Sequence, residues 1–459
     1  MSTPVQHFLG ASRRHFWLAG IFALQWLSAC QSFSPVVSPN PLQTLTQNFT
    51  PPLGRLHCPP GNPACRPQQF NLPQQNRFYL PPEYTPTQAV IVSDRVMSDS
   101  NGLPLLQALI QAHSDIWMLG TDANLNKQTE QALQFSLSPL GIFPLAQKFV
   151  ALPLATDSIW SRDYGPLATL PTSDYSGPKL DYKLLNSFYY PDRRQDDRVP
   201  ASLSRILNSP LGPLTEKTVF TSQLSLALEG GNMMCTQALC FSSRSVIERN
   251  LGQVFRNSRP LNNEGDILKE FASQLSQQSH FVNALPGEAT GHIDMWAKFL
   301  DEKTLLVHQL SDATINQLAA ADQPQAKLIQ AFLDEQATGL DSSGKELPES
   351  LAQKAKTAIP ELKILRLPMP APLLYQGSLL VRSYTNSLLV NGTALLPQYK
   401  NLPANGNYPD AHLLSAYEQA VAQVYQSAGY QVKWIPSDSW IVSGGAVHCV
   451  TMQIPKTVV

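Results

Sequence analysis

The sequence predicts an α/β fold, because short apolar segments of strand length alternate with segments of helical spacing along most of the chain. Residues 89–92 are the first apolar run, residues 103–112 have helical spacing, and residues 116–119 are a second run that ends at Gly120. Of the 459 residues, 43% are hydrophobic and only 15% are charged. This composition supplies enough apolar material for a large core, in one big domain or two.

The same alternation continues towards the C-terminus. Residues 387–390 and 393–396 are predicted to form a hairpin around Asn391-Gly392, a sequence typical of tight β-turns. Residues 314–358 are polar, rich in Ala and Gln and helical in character, and are predicted to be an insertion on the outside of the body. The other predicted elements are helices at 127–135, around 267–275 and around 413–425, and strands at 149–154, 304–307 and 432–435.

The N-terminus has the layout of a secretory signal peptide. Arg13 and Arg14 precede an apolar run at 16–27 that is too short to span a bilayer comfortably. The run closes with L-S-A-C, which is similar to a bacterial lipobox, so Cys30 is predicted to become the lipidated first residue of the mature protein. The alternative is an ordinary cleavage site followed by chance by a cysteine. The paired arginines suit twin-arginine export and also occur in ordinary signal peptides.

Three regions are predicted: a lipoprotein signal peptide at 1–30, a Pro-rich tether at 31–85 and a folded body at 86–459. The tether is rich in Pro, Gln, Asn, Ser and Thr, and no helical or strand period holds there for long. A lipid anchor would hold the body at the membrane of a bacterial cell envelope, on the periplasmic side or at the surface. The formal net charge of -1 argues against nucleic acid as the main partner.

Six cysteines are few for a chain of this length, so the protein is not a disulfide scaffold. Cys58 and Cys65 flank a strong turn sequence, and Cys235 and Cys240 are a second close pair. Both pairs are predicted to form disulfides in an oxidising compartment. A zinc site is disfavoured, because the chain has no C-x-x-C motif and no histidine spacing to complete one.

The cysteine left without a local partner is Cys449, which follows Gly444-Gly445 and precedes an alternating, β-prone tail. Two glycines let the backbone turn tightly or approach a ligand closely. A thiol just past such a turn is placed to face a pocket, which suits a nucleophile. The structural alternative is a buried cysteine beside a glycine turn, since free cysteine is often a small core residue.

Polar residues of catalytic type occur in four further stretches. In a strand, His292 and Asp294 would project from the same face, although a lone histidine is more often structural. Asp163 could be a surface partner of Arg162 or a turn former, and Asn386 adds an amide before the predicted hairpin. The four stretches are W-S-R-D-Y-G-P at 160–166, L-E-G-G-N at 228–232, G-H-I-D-M at 291–295 and R-S-Y-T-N at 382–386.

In combination, five motifs resemble those of the agmatine deiminase and bacterial (Porphyromonas-type) peptidylarginine deiminase family, which belongs to the guanidine-modifying superfamily. In chain order they are W-x-R-D-x-G-P, E-G-G-N, G-H-x-D, S-Y-x-N and G-G-x-x-H-C. The resemblance covers about residues 80–455. It implies a five-fold pseudosymmetric α/β propeller of ββαβ-type units around a central active site, and an enzyme without a metal or organic cofactor.

The resemblance also implies roles, position by position. Cys449 matches the family's nucleophile and His292 its general acid/base. Asp163 and Asp294 match the carboxylates that hold the guanidinium and so count among the catalytic residues. The positions that match the substrate pocket are Trp160, Asp163, Asp294 and Asn386.

These residue types suit hydrolysis of an arginine-type guanidinium to a ureido group and ammonia. Carboxylates grip the planar cation through paired charge-assisted hydrogen bonds and keep it protonated, which leaves its central carbon electrophilic. A thiolate attacks that carbon and forms a covalent thiouronium. His292 would protonate the departing ammonia and then deprotonate the water that hydrolyses the intermediate.

Two substrates of this class remain as alternatives. Export favours peptidyl-arginine, whereas agmatine is a putrescine precursor that is usually metabolised in the cytoplasm. Arg193 and Arg194 could bind a substrate carboxylate, or form a solvated basic turn with Asp196 and Asp197. The family usually has an Asp-Gly turn after E-G-G-N, and M-M-C stands here instead, which indicates a different pocket rim. The competing classes are an envelope protein that binds guanidines without turnover, and an enzyme that transfers the amidino group to an amine.

Overall fold

The computed structural model describes residues 77–142, 147–209, 212–214, 217–255, 260–402 and 406–457, and they form a mixed α/β fold. The predicted signal peptide, the lipidation residue Cys30 and the Cys58–Cys65 pair lie outside the described residues. Within these ranges, no helix has both the length and the apolar character needed to cross a membrane.

The strands are short, and most are apolar runs that turns interrupt, as the sequence pattern indicates. Those in the described part of the chain are β1 (Phe78–Tyr79), β2 (Thr87–Ser93), β3 (Asp115–Leu119), β4 (Phe149–Leu152), β5 (Leu167–Pro171), β6 (Tyr182–Phe188), β7 (Val219–Ala227), β8 (Met234–Cys235), β9 (Leu239–Ser243), β10 (Gln278–Val282), β11 (Ala297–Asp301), β12 (Thr304–Gln309), β13 (Lys363–Pro368), β14 (Leu373–Tyr375), β15 (Ser378–Leu380), β16 (Leu388–Val390), β17 (Thr393–Gln398), β18 (Gln431–Pro436) and β19 (Met452–Pro455).

Several helices begin at side-chain caps. Asp122, Asn263 and Ser350 each accept a hydrogen bond from a backbone N–H of the first turn, which satisfies donors that have no partner inside the helix. The helices among the described residues are α1 (Gly102–Gln111), α2 (Ala123–Leu137), α3 (Ser161–Tyr164), α4 (Arg194–Leu207), α5 (Ser245–Asn250), α6 (Glu264–Gln274), α7 (Asp312–Asn316), α8 (Gln323–Thr338), α9 (Leu351–Ala358), α10 (Leu414–Ser427) and α11 (Asp438–Ile441).

Five sheets share one pattern, in which a strand pairs antiparallel with a second strand and the second pairs parallel with a third. Every parallel step is a crossover that contains at least one helix, because parallel neighbours need a long connection. The units, each in the order antiparallel strand, second strand, third strand, are β19-β2-β3, β5-β6-β7, β8-β9-β10, β11-β12-β13 and β16-β17-β18.

The predicted hairpin is confirmed. Strands β16 and β17 pair antiparallel with Val390 opposite Thr393. Asn391 and Gly392 both have positive φ, 46° and 78°, which this two-residue turn requires. The sequence pattern was sufficient here because turn and strands are contiguous.

The segment 314–358 is helical, as predicted, but it does not lie only on the outside. Helices α7, α8 and α9 form the crossover between the parallel strands β12 and β13. The inner face of α8 belongs to the core, with Ile329 and Leu333 fully buried and Phe332 against Trp296. Most residues of this helix belong to its polar outer face, so its overall composition did not reveal the apolar stripe that packs on the core.

The boundary of the predicted tether is also wrong by several residues. Residues 77–85, assigned to the tether, pack on the body: Phe78 is fully buried and pairs with Pro171 of β5. The N–H of Leu80 donates to Gln277 Oε1 at 2.8 Å. The sequence did not predict this short edge strand, because the segment is rich in proline and because the strand that pairs with it lies far along the chain.

The motif residues lie in connections between strands rather than within them. Asp163 is on the one-turn helix α3, and Asn386 directly precedes β16. Cys449 lies between α11 and β19. Loops carried by a rigid scaffold are a common place for functional side chains, and the five units bring these connections together.

Candidate active site

Cys449 is the free cysteine of the described chain, and its side chain is buried. Gly444 turns the backbone before it with a φ of 103°. A Cβ added to Gly445 would lie 2.8 Å from Cys449 Sγ and 2.8 Å from the ring of Trp160. The second glycine therefore allows the thiol and the indole to approach one backbone segment, which only a residue without a side chain permits.

Asn386 holds the loop that carries this cysteine. Its Oδ1 accepts from the N–H of Ala446 at 2.9 Å, and its Nδ2 lies 3.1 Å from Cys449 Sγ and 3.0 Å from Asp294 Oδ2. The predicted polar amide is thus in direct contact with the predicted nucleophile and with one of the two predicted carboxylates.

His292 and Asp294 are both buried at the site, but not through the strand that their alternation suggested. Residues Ile293–Met295 form a 3-10 turn, and His292 caps it. Gly291 has a φ of 68° and Glu288 accepts from its N–H at 2.7 Å, which terminates any extended run. The turn that Gly291 and the Glu288 carboxylate favour therefore forms in place of the strand that the alternating sequence predicted.

Gly231 is the point on which three polar side chains converge. A Cβ placed there would lie 2.6 Å from His292 Nδ1, 2.9 Å from Asp163 Oδ1 and 3.1 Å from Asp294 Oδ2. The N–H of Gly231 donates to Asp163 Oδ1 at 3.2 Å. The glycine of the E-G-G-N motif therefore makes room for the two carboxylates and the imidazole to meet.

Asp163 is not a surface partner of Arg162, because both residues are buried. The Arg162 guanidinium points elsewhere: its Nε donates to the carbonyl of His448 at 3.4 Å and its Nη2 to Gln453 Oε1 at 3.1 Å. Asp163 Oδ1 instead lies 3.6 Å from His292 Nδ1. Arg162 therefore holds the backbone next to Cys449, and the Asp163 carboxylate faces His292 in the pocket.

The motif analysis missed the role of Glu229. Its Oε2 lies 2.8 Å from His292 Nε2 and also contacts Arg249 Nη1. Glu229 is 5% exposed. A carboxylate directly before two glycines was the available signal, but the sequence did not show that its partner would be a histidine 63 residues away.

The charges of the site shift its protonation equilibria. Burial lowers the pKa of His292, but Asp163 and Glu229 outweigh burial and raise this pKa to about 10. Burial raises the pKa of Asp163, although His292 opposes the shift. The histidine is therefore an imidazolium at neutral pH, and it can donate a proton.

Burial, Asp294 and Asp163 raise the pKa of the Cys449 thiol well above its ordinary value, against the opposing hydrogen bond from Asn386. The thiol is consequently protonated in the absence of substrate. A cation bound between Asp163 and Asp294 would reverse this effect, because it neutralises the charges that oppose the thiolate.

Two buried atoms at the centre, Asp294 Oδ1 and His292 Nδ1, have no hydrogen-bond partner among the described residues. Buried polar atoms are nearly always paired. A carboxylate oxygen accepts hydrogen bonds, so Asp294 Oδ1 offers an acceptor to a ligand that carries N–H donors.

The rim beside Glu229 is aromatic and cationic. Arg193 Nη1 donates to the hydroxyl of Tyr189 at 2.9 Å, and its guanidinium lies 5.0 Å from the ring centroid of Tyr190. Arg249 Nη2 donates to the hydroxyl of Tyr190 at 2.9 Å. Arg193 is thus part of the rim, whereas Arg194 begins helix α4 and is exposed.

The acidic residues considered as partners of this basic turn are themselves held by hydrogen bonds, and the charge of Asp196 acts on Arg193. Asp196 is fully buried and accepts from the N–H of Asp157 at 2.7 Å and the hydroxyl of Ser158 at 2.7 Å. Asp197 accepts from the N–H of Tyr189 at 3.0 Å. These hydrogen bonds hold the turn, while Tyr190, Pro191, Asp192 and Arg194 remain exposed to solvent.

Cys235 and Cys240 are joined by a disulfide that closes the β8–β9 hairpin, directly after E-G-G-N. Cys235 also lines a cavity of about 70 Å³, together with Asp294 and His448. The cysteine pair thus braces the segment that follows Gly231, where the sequence departs from the family's usual turn.

Comparisons with sequence relatives, with solved structures and with a family model all find deiminases. An agmatine deiminase, provisionally so named, from Yersinia pseudotuberculosis is 22% identical over 424 residues, which cover 83% of this chain and 97% of that one. The solved agmatine deiminase of Enterococcus faecalis is 14% identical, with a TM-score of 0.56 over 83% of this chain and 97% of that one. A structure provisionally named arginine deiminase from Porphyromonas gingivalis is 19% identical, with a TM-score of 0.55, and the match covers 83% and 98% of the two chains.

The solved structures share the fold at low identity and do not by themselves assign an activity. The family model does more, because it matches most of the sequence: residues 103–455 fit the Porphyromonas-type peptidyl-arginine deiminase family. Its span includes Asp163, Glu229, His292, Asn386 and Cys449. The chain therefore belongs to this family of deiminases, hydrolases that act on the C–N bonds of guanidino groups.

Proposed function

We propose that the protein deiminates the guanidinium of peptidyl-arginine to a ureido group, with release of ammonia. The observation that carries the proposal is the convergence of His292, Asp163 and Asp294 around Gly231, with Asp294 Oδ2 3.9 Å from Cys449 Sγ. This arrangement combines a nucleophile, an acid/base and two carboxylates in one buried site.

Binding is the first step. Asp163 and Asp294 accept hydrogen bonds from opposite parts of the planar cation, and Asp294 Oδ1 is available for this contact. The cation neutralises both carboxylates, so the thiol pKa falls and Cys449 loses its proton to solvent. Trp160, which contacts the same backbone segment as the thiol, forms one wall.

The covalent step follows. The thiolate of Cys449 attacks the central guanidinium carbon, and the imidazolium of His292 transfers a proton to the departing nitrogen, which leaves as ammonia. His292 Nε2 is engaged by Glu229, so Nδ1 is the atom that faces the reacting groups. The neutral imidazole then takes a proton from water, the hydroxide attacks the thiouronium, and the thiolate leaves as the ureido product forms.

The choice of peptidyl-arginine rests on the rim and on the predicted export. Arg193 and Arg249 lie 5.0 Å and 5.2 Å from the ring centroid of Tyr190. Positive charge beside the pocket mouth disfavours the ammonium tail of agmatine and favours a peptide or a carboxylate. Arg249 is compensated by Glu229, so Arg193 is the rim cation whose charge is most available.

Agmatine is the second candidate, since the relatives compared above include an agmatine deiminase and one provisionally so named. Production of N-carbamoylputrescine would then place the enzyme in putrescine biosynthesis. The two candidates share the chemistry and differ in the tail that the rim must accept.

The test compares kcat/KM for agmatine, for free arginine and for peptides with internal or C-terminal arginine, measured as ureido product and ammonia. We expect a peptide to be the best substrate. Arg193→Gln should lower kcat/KM for a peptide with a C-terminal arginine by about tenfold and should raise it for agmatine. Arg198→Gln, an exposed arginine on the same helix, is the matched control. A higher kcat/KM for agmatine than for every peptide overturns the substrate assignment and leaves the chemistry intact.

We further propose that the enzyme is exported and attached to the membrane through Cys30, and that its five ββαβ-type units surround the site in a five-fold arrangement. The shared strand pattern of the five sheets supports the arrangement, and the L-S-A-C sequence supports the anchor. Cys30→Ala should move activity from the membrane fraction to the soluble or unprocessed pool. Activity that stays in the membrane fraction contradicts the anchor.

A further inference from the structure

His448 precedes the nucleophile in the chain, and the reaction steps above do not use it. Its buried ring lies between two carboxylates. Nδ1 donates to Asp294 Oδ2 at 2.6 Å. Nε2 lies 2.9 Å from Glu83 Oε2, an ion-pair contact that is not aligned as a hydrogen bond.

Glu83 is held from two further sides. Its Oε1 accepts from the N–H of Leu389 at 2.8 Å, and Lys298 Nζ lies 2.5 Å from its Oε2. Burial alone would raise the pKa of Glu83, but the charges of Lys298 and His448 outweigh burial and hold this pKa below its ordinary range. Glu83 is therefore a fixed anion behind His448.

The contact with His448 has a consequence for the oxygens of Asp294. Oδ2 accepts from both His448 Nδ1 and Asn386 Nδ2, whereas Oδ1 has no partner among the described residues. A carboxylate whose one oxygen is held by two donors presents the other oxygen in a defined direction. The orientation of Asp294 towards a guanidinium thus depends on the residue next to the nucleophile.

We propose that His448 is a positioning residue: Glu83 fixes its ring from behind, and its Nδ1 orients Asp294 for the substrate guanidinium. Its two ring nitrogens lie against carboxylate oxygens of Asp294 and Glu83, which accept hydrogen bonds and do not donate them. Lys298 contacts the same oxygen of Glu83, and Arg162 Nε donates to the backbone carbonyl of His448. The inference rests on the proposed function, because it explains how the carboxylate of that site is held.

The experiment measures recognition of a cation without turnover. 2-Chloroacetamidine carries a planar amidinium, and iodoacetamide is neutral; in each case the Cys449 thiolate displaces halide and forms a thioether, which intact-protein mass spectrometry detects. The ratio of the two alkylation rates reports how well the carboxylates hold a cation. Glu83→Gln and His448→Ala should lower this ratio by at least about tenfold, the loss expected when a charged hydrogen-bond partner is removed. His448→Asn, whose amide can occupy the Nδ1 position, should recover part of the loss.

Recovery in His448→Asn separates the loss of the Nδ1 donor from a general disturbance of packing, because Ala and Asn both shorten the side chain and only Asn restores a donor. Asp181→Asn is the matched control, because Asp181 likewise pairs with a lysine, Lys217, and accepts from a backbone N–H, that of Thr218. It should leave the ratio of alkylation rates unchanged.

Three outcomes decide between the claims. A wild-type enzyme without preference for the amidine refutes the proposed function itself. A clear wild-type preference that Glu83→Gln and His448→Ala retain overturns the role of His448 alone. An equal loss in Asp181→Asn also overturns that role, because it shows that removing any partly buried carboxylate paired with a lysine disturbs the site.

Discussion

His292 Nε2 lies 2.8 Å from Glu229 Oε2, and both side chains are buried. This contact engages one ring nitrogen and leaves Nδ1 towards Asp163 and the pocket. It also places a second carboxylate beside the imidazolium, and Asp163 and Glu229 together raise the pKa of His292 to about 10 despite its burial. Glu229, which the motif comparison left without a role, therefore helps to set the pKa of the proposed acid/base.

The pH profile should reflect this contact. If His292 must be protonated to release ammonia, kcat/KM is supported below the raised pKa and is lost as pH rises through about 10. Glu229→Gln removes one of the charges that raise the pKa, so the basic limb should move to lower pH. The measurement is kcat/KM for an arginyl peptide against pH. Glu270→Gln, which alters a carboxylate that accepts from the N–H of Ser225, is the control. A basic limb that stays in place would contradict the role of Glu229.

Cys449→Ser should retain substrate binding and lose turnover by about a thousandfold or more, because a serine hydroxyl beside two carboxylates forms no usable nucleophile. Binding is measured by calorimetry with an arginyl peptide, and turnover by ammonia release. Ammonia release near the wild-type rate would refute the assignment of the nucleophile.

Gly231→Ala should lower activity by about tenfold to a hundredfold at a modest cost in stability, about 1–3 kcal/mol, as expected for an extra methyl in a packed site. The added Cβ would lie 2.6 Å from His292 Nδ1 and 2.9 Å from Asp163 Oδ1, so both must move. Gly265→Ala, at an exposed position in helix α6, is the control and should leave kcat/KM unchanged. The readouts are kcat/KM and thermal unfolding. Equal kcat/KM for both variants would show that the three side chains do not need the space at Gly231.

Exported protein should contain two disulfides, Cys58–Cys65 and Cys235–Cys240, with Cys449 free. The second link is present in the structure, and the first lies outside the described residues. Mass spectrometry of non-reduced digests checks both links. A digest in which Cys449 is joined to any of the four other cysteines would overturn this scheme, because the nucleophile must be a free thiol.

Local sequence patterns predicted the α/β class, the β16–β17 hairpin around Asn391-Gly392 and the polar residues that the structure brings together at the candidate site. These features depend on contiguous residues or on motifs in chain order, and both can be read without knowing what packs against them. The family resemblance was likewise carried by five short motifs, and the family match over residues 103–455 confirms it.

Only the tertiary structure decided how the site is supported. The sequence placed Glu83 in a tether, yet its carboxylate lies 2.9 Å from His448, a residue 365 positions along the chain. The alternation of His292 and Asp294 suggested a strand, and a 3-10 turn forms instead. Neither local period nor composition encodes such contacts, because a buried charge is stabilised by whichever partners the folded units bring to it, and those partners lie in distant segments.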